Sequence, residues 1–212
     1  MRFIKIFTSL LALLVLSSIS SAIFIGVNGS SPPTCVQGIN FIWNFSTIQA
    51  AVNNATTGDT IYVCKNSTNP YGEQVVVNVS VNIYGNQSTD VNLSIPTTAP
   101  ILFNVTSNWV NITNISFNGG DGTGGTFVSG ILLSSSNYSK IYNNSFTKNL
   151  YNIYVYNSNN VTIENNSIDR QQHGGASEIS IYLNSSSMNN ITNNSFYTSG
   201  GSGGNKHFYK VS

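Results

Sequence analysis

Apolar and polar side chains alternate in short runs along most of this chain, and asparagine breaks the runs at recurring intervals. In Val161, Thr162, Ile163 and Glu164 the period is two, the signature of a strand with one face in a core. Asn165 and Asn166 interrupt the alternation, and Ile168 resumes it after an odd step. A residue that tolerates a left-handed backbone bends the chain there, so that both short strands keep an apolar side chain pointing inward. The same phrase occurs at residues 110–117, 140–146 and 190–196. Its central isoleucines, Ile112, Ile141, Ile163 and Ile191, are separated by 29, 22 and 28 residues. Self-similarity on that scale predicts a solenoid of stacked coils.

If each coil puts its asparagine in the same place, the amides of Asn144, Asn166 and Asn194 can hydrogen-bond up the stack, satisfying polar groups that are costly to bury. Ile115 takes that place in the first phrase, so the ladder is expected to start one coil later. The preceding asparagines, Asn143, Asn165 and Asn193, stand in Asn-x-Ser sequons and are expected to point outward.

Towards the amino end the period changes. Ile48, Ala51, Val52 and Ala55 share one helical face, which predicts a helix from about residue 47 to 55, with Ser46 and Gln49 as a capping box and Gly58 ending it. A solenoid exposes core at its ends, and this helix suits a plug for one of them. From Gly72 the alternation through Val75, Val77, Val79, Val81 and Ile83 is long enough for two strands, and Val91, Leu93 and Ile95 continue it to a corner at Pro96 and Pro100. Residues 119–125 are a glycine cluster around Asp121, either a projecting binding loop or a plain turn.

Residues 1–22 carry Arg2 and Lys5, an apolar stretch from Leu10 to Leu16, and small residues ending at Ala22, which reads as a secretory signal peptide. Ile23 to Ile25 lengthen the apolar run, so a membrane contact through an uncleaved amino-terminal segment is the other reading. Cleavage leaves six basic side chains against seven acidic ones, without the basic surface that nucleic acid requires. Charged residues make up only 7%, far below the roughly 25% of ordinary soluble domains. Asparagine, serine and threonine supply the polarity instead, and seventeen sequons make an exported chain a candidate for N-glycosylation. In an exported protein the two cysteines, Cys35 and Cys64, point to one disulfide clamping the helix hairpin onto the first coil.

The phrase I-x-N-N-[ST]-[IF] on coils of this length resembles the right-handed parallel β-helix proteins of the pectate-lyase-like superfamily. Residues 48–63 are similar to the capping helix and first strand with which many of them begin, including periplasmic maturation proteins of nitrous oxide reductase. The resemblance frames almost the whole mature chain and implies an all-β fold, a single right-handed parallel β-helix of roughly six or seven coils with an amino-terminal capping α-helix. The expected organisation is signal peptide 1–22 and β-helix domain 23–212, the latter divided into cap and first strand 23–64, coils 65–198 and flexible tail 199–212.

That fold hosts lyases, hydrolases, adhesins and structural proteins, so activity must be read from a site. The densest ionisable stretch is Asp169, Arg170 and His173 with Glu178, expected where the third repeat turns a corner. In lyases of this fold the resemblance implies calcium held by several carboxylates with an arginine as base, and in hydrolases two or three aspartates on one face. Here Asp169 or Glu178 would serve as acid or base, Arg170 as base or carboxylate clamp, and His173 as proton carrier, with Glu164 beside them. No closely spaced aspartate pair exists, and calcium is implied only for a lyase. Copper delivery, implied by the maturation-protein resemblance, would rest on His173, His207 and Met188, too scattered for a soft-metal site; no metal site and no cofactor is expected.

Tyr138, Tyr142, Tyr151, Tyr154, Tyr156 and Tyr182 lie on or beside repeat strands. Tyr154 and Tyr156 share parity, so with Ile153 and Val155 inside they form an outward ladder able to stack on sugars or on a neighbouring protein. The expectation is a secreted or cell-surface protein, structural, adhesive or carbohydrate-binding, that meets a polysaccharide, a glycan surface or like subunits end to end. The alternative is a small polysaccharide lyase or glycoside hydrolase acting at residues 169–173, and whether the chain is an enzyme is left open. An enzyme would bring at least two of Asp121, Glu164, Asp169, Arg170, His173 and Glu178 to one groove.

Overall fold

A computed structural model describes residues 22–27, 41–64, 71–85, 90–92, 101–119, 129–171, 179–199 and 206–211. Within them the chain winds as a right-handed parallel β-helix with three sheets. Sheet one holds β1 (Phe24–Val27), β2 (Trp43–Phe45), β3 (Thr60–Val63), β5 (Asn82–Gly85), β8 (Asn111–Thr113), β11 (Lys140–Tyr142), β14 (Thr162–Glu164) and β17 (Asn190–Thr192). Sheet two holds β4 (Val75–Val77), β7 (Ile101–Val105), β10 (Ser129–Ser134), β13 (Tyr151–Tyr156), β16 (Ile179–Asn184) and β19 (Lys206–Val211). Sheet three holds β6 (Asp90–Asn92), β9 (Ser116–Asn118), β12 (Ser145–Thr147), β15 (Ser167–Gln171) and β18 (Ser195–Ser199). Each strand pairs in parallel with its counterparts one coil away.

Register explains why alternation suffices to build a core. Ile61, Ile83, Ile112, Ile141, Ile163 and Ile191 are directly paired up sheet one, and the first five are fully buried. Phe117 and Phe146 stack in sheet three with centroids 5.0 Å apart, and Ile153 and Val155 are buried in sheet two. Complete burial of each such side chain contributes about 1.5–3 kcal/mol, and the identical repeat distance lets like pack on like.

At the amino end, α1 (Ile48–Asn54) buries Ile48, Ala51 and Val52, plugging the core. Its capping differs from the expected box. Thr47, not Ser46, is the N-cap, its hydroxyl accepting from Ala50 N–H at 3.1 Å. Glu73, from the coil below, accepts from the Ile48 and Gln49 N–H groups at 2.8 and 3.0 Å. Gln49 instead bridges to the next strand, its Oε1 accepting from Val76 N–H at 2.6 Å. The carboxylate of a distant residue thus occupies the orphan donors that a local side chain was expected to satisfy. The helix ends at Asn54, and Gly58, with φ of 95°, sits in the turn beyond.

The described residues at both extremities join the coils. Ile23 to Ile25, read as a possible extension of a membrane segment, enter the solenoid: β1 lies between β2 and β3, with Ile25 and Val27 fully buried against Ile61 and Val63. Among the described residues no helix is long and apolar enough to cross a membrane. Of the expected flexible tail, residues 206–211 form β19, paired with β16 along its length, because Phe208 and Tyr209 repeat the pattern of Ile181 and Tyr182.

Candidate functional site

The corner between sheets one and three is built from the Asn-Asn pairs, and the two asparagines divide the work. Asn114, Asn143, Asn165 and Asn193 adopt φ of 54–59° and make the bend. The residues after them turn inward. Asn144 Oδ1 accepts from Ile115 N–H at 3.0 Å, and Asn144 Nδ2 donates to Asn166 Oδ1 at 3.2 Å. Asn166 Nδ2 donates to Asn194 Oδ1 at 2.9 Å, so Asn144, Asn166 and Asn194 form a column, with Ile115 buried at its start. Asn143 and Asn193 are exposed and Asn165 is half-buried; Asn143 also donates to Asn114 Oδ1.

The corner before sheet one carries two further ladders that the sequence reading missed. Ser158 Oγ accepts from Ser136 N–H at 2.9 Å and Ser186 Oγ from Ser158 N–H at 3.0 Å, all three serines buried. Beside them Asn108, Asn137 and Asn159 each use Oδ1 to accept a backbone N–H from the next coil, at 2.7, 2.7 and 2.8 Å. The signal lay in a second recurring phrase, Ser107-Asn108-Trp109, Ser136-Asn137-Tyr138, Ser158-Asn159-Asn160 and Ser186-Ser187-Met188, at the spacings of the first.

Of the proposed catalytic stretch, the structure describes only the beginning. Asp169, Arg170 and Gln171 continue β15, paired with Tyr197, Thr198 and Ser199 of β18, since two strands of sheet three run on together here. Asp169 is half-buried on sheet three, whereas Glu164 projects from sheet one and is held by Lys140 at 3.3 Å. Of the candidate acids and bases only Glu164 and Asp169 have described side chains, and they stand on different sheets. Asp121, His173 and Glu178 lie outside the described residues, as does the side chain of Arg170.

The carboxylates nearer the amino end serve the fold. Asp59 is buried and accepts from Ile23 N–H at 2.9 Å and from Thr56 N–H at 2.7 Å, while Glu73 caps α1. Cys64, buried at the end of β3, is not a free thiol, and Cys35 lies outside the described residues.

The concentration of chemically able surface is instead aromatic. On the outer face of sheet two, register aligns Tyr154, Tyr182 and Tyr209 on β13, β16 and β19. Centroid separations are 4.7 Å for Tyr154 and Tyr182 and 5.3 Å for Tyr182 and Tyr209. Tyr151 stacks on Tyr182 at 5.6 Å, and Tyr156, 45% exposed, packs edge-on to Tyr154. Burial, and then Tyr154, Tyr209 and Tyr151, hold the Tyr182 phenol above its ordinary value. Asn184 Nδ2 donates to Tyr154 Oη at 3.2 Å, fixing that ring's polar edge. A five-ring surface with phenolic hydroxyls at its edges can cover flat apolar faces and hydrogen-bond their rims.

Comparison with known proteins fits this architecture. The family described as "Periplasmic copper-binding protein (NosD)" matches residues 34–205, and the chain belongs to that family. Two structures of pectin methylesterase, each with a bound hexasaccharide, align with TM-score 0.51 at 8% identity, covering 85% of this chain and 67% of theirs. The rice weevil pectin methyl esterase aligns with TM-score 0.46 at 16% identity, covering 77% of this chain and 68% of that one. The two likenesses at TM-score 0.51 concern the fold alone. A search of curated proteins found no match. The family's name raises the question of copper; His173, Cys35 and the side chain of His207 lie outside the described residues. Among the described residues no three histidine, cysteine or acidic side chains cluster, Met188 is 73% exposed at a corner, and Glu164, Glu73 and Asp59 are engaged as above.

Proposed function

We propose that this member of the NosD family is an exported, non-catalytic β-helix protein of the cell surface or extracellular space, which holds a polysaccharide or glycan on the tyrosine face of sheet two. The observation that supports the reading is the Tyr151, Tyr154, Tyr156, Tyr182 and Tyr209 surface, five rings spread over three successive strands. Amphipathic rings fixed on a rigid sheet lose little conformational freedom on binding, which favours them as anchors. Signal-peptide removal near Ala22 and a Cys35–Cys64 disulfide belong to this reading, as does N-glycosylation at exposed sequons such as Asn143 and Asn193.

The test is affinity electrophoresis of the purified mature chain through gels containing neutral or acidic polysaccharides. Retardation by at least one polymer is expected, and Tyr154→Ala with Tyr182→Ala should weaken it about tenfold, the loss of one to two aromatic contacts. Unchanged mobility in every gel would refute the reading. Release of reducing ends or unsaturated products, abolished by Asp169→Ala, would establish the lyase or hydrolase alternative. The disulfide adds roughly 3 kcal/mol by loop closure, so reduction should lower the melting temperature by several degrees.

A further inference from the structure

Trp109 and Tyr138 occupy equivalent places in successive coils, two residues before β8 and β11, in the phrase that supplies the serine and asparagine ladders. Their rings stack with centroids 4.4 Å apart and 10° between planes. Both are large and outward, 61% and 48% exposed, and both adopt left-handed backbone, with φ of 59° and 58°. For bulky side chains that conformation is a true outlier, and the next coil fills the same place with Asn160, which tolerates it. Strain kept at an exposed position where asparagine would serve the fold better points to a use for the side chains.

The geometry around the pair indicates what they take. The rings stack along the solenoid axis, so Tyr138 covers one face of Trp109. On the other side the equivalent place one coil down is Ser80, and the next is Gly58. Among the described residues these small ones stand where the stack would continue beyond Trp109, which keeps 61% of its surface exposed. Hydrogen-bonding groups line that level. Ser80 Oγ lies 3.1 Å from Ser107 Oγ and donates to Asn108 O at 2.7 Å, and Asn108 itself is exposed. Ser80, Ser107, Asn108 and Asn137 are all neutral.

We propose that Trp109, backed by Tyr138, is a stacking subsite for one ring of a neutral saccharide, which lies on the exposed indole and exchanges hydrogen bonds with Ser80, Ser107 and Asn108. The subsite stands on a corner, separate from the tyrosine face, and does not depend on it. An apolar ring face over the indole and hydroxyls at the rim match a pyranose, whereas a charged ligand would find no opposite charge among these four residues.

The test uses unglycosylated mature protein carrying Trp43→Phe, so that Trp109 is the sole indole. Linear hexasaccharides of glucose, mannose and N-acetylglucosamine are titrated while its fluorescence is followed. At least one should change the emission saturably, and Tyr154→Ala with Tyr182→Ala should leave that change in place. In the Trp43→Phe background this signal is lost with Trp109, so binding to Trp109→Asn is followed by calorimetry in protein that also carries Tyr154→Ala and Tyr182→Ala and should weaken at least tenfold, with the melting temperature unchanged by Trp109→Asn or raised. Absence of any saturable change, or full calorimetric affinity in Trp109→Asn, overturns the proposal. A lowered melting temperature with unaltered sugar affinity would make the stack merely structural. A shift in sedimentation caused by Trp109→Asn, without a sugar response, would assign it to contact between copies of the chain.

Discussion

At the corner after sheet one, four successive coils set asparagine in the left-handed region, with φ of 54–59° at Asn114, Asn143, Asn165 and Asn193. At the corner before sheet one the same four coils make the same bend, φ 54–59°, with Trp109, Tyr138, Asn160 and Met188. The backbone demand is identical and the side-chain answer is not. Asparagine is enriched in this conformation because its short polar side chain bonds locally, whereas a larger L-residue incurs about 1–2 kcal/mol. The first corner is therefore what the fold alone selects. At the second, backbone donors are already satisfied by Ser158 and Ser186 and by Asn108, Asn137 and Asn159, so the bent residue is free to differ from coil to coil. That freedom is where surface function can be written without unmaking the coil.

The largest effect should come from the column at the first corner. Asn166 Oδ1 accepts from Asn144 N–H at 2.9 Å, and Asn166 Nδ2 donates to Ile141 O at 3.0 Å, all in the buried interior. Asn166→Leu leaves these groups unpaired and should destabilise by about 3–5 kcal/mol, since each buried orphan costs about 1–3 kcal/mol. Urea unfolding at unchanged m-value measures it. A loss below about 1 kcal/mol would mean that the ladder is ornamental to the core. Ser158→Ala, which orphans the Ser136 N–H group and removes the hydroxyl's donations to Tyr156 O and Leu133 O, should cost about 1–2 kcal/mol by the same assay.

These two ladders also mark how far the chain could be read before its structure. The Asn-Asn column and the buried isoleucines were legible because a period-two strand, an odd step and a fixed spacing leave one inward arrangement. The serine ladder was not, because serine is common in this chain and its phrase, Ser-Asn followed by Trp, Tyr or Asn, shows no hydrophobic period. Glu73 as the cap of α1 was equally hidden, since nothing local ties residue 73 to residue 48. β19 was obscured by the glycines at 200–204, although Phe208 and Tyr209 repeat the alternation of β16. The tyrosine face was half legible: parity put Tyr154 and Tyr156 outside, but its extension through Tyr182 to Tyr209 depends on register between strands of different coils. Residues 169–178 stand out by charge density and by the long 28-residue spacing, neither of which tells which sheet a side chain leaves.

The smallest expected effect separates the corners most sharply, because it exchanges their residues. Trp109→Asn replaces a strained aromatic with the residue the other corner uses, removing about 1–2 kcal/mol of backbone cost and forfeiting an exposed ring stack worth about 0.5–1.5 kcal/mol. The two nearly cancel, so stability should change by less than about 1 kcal/mol, with the balance towards stabilisation. Asn165→Trp performs the reverse exchange at a half-buried bend with no second ring in Asn143 or Asn193 to stack on, and should cost about 1–2 kcal/mol with no recovery. For a chain of this size that is a drop of roughly 2–8 °C in melting temperature. Equal and opposite shifts would mean that the corners are interchangeable and that Trp109 is an ordinary tenant of its coil. A neutral first exchange with a costly second would show that Trp109 and Tyr138 offset at the surface, by stacking on one another, a strain that the fold does not require.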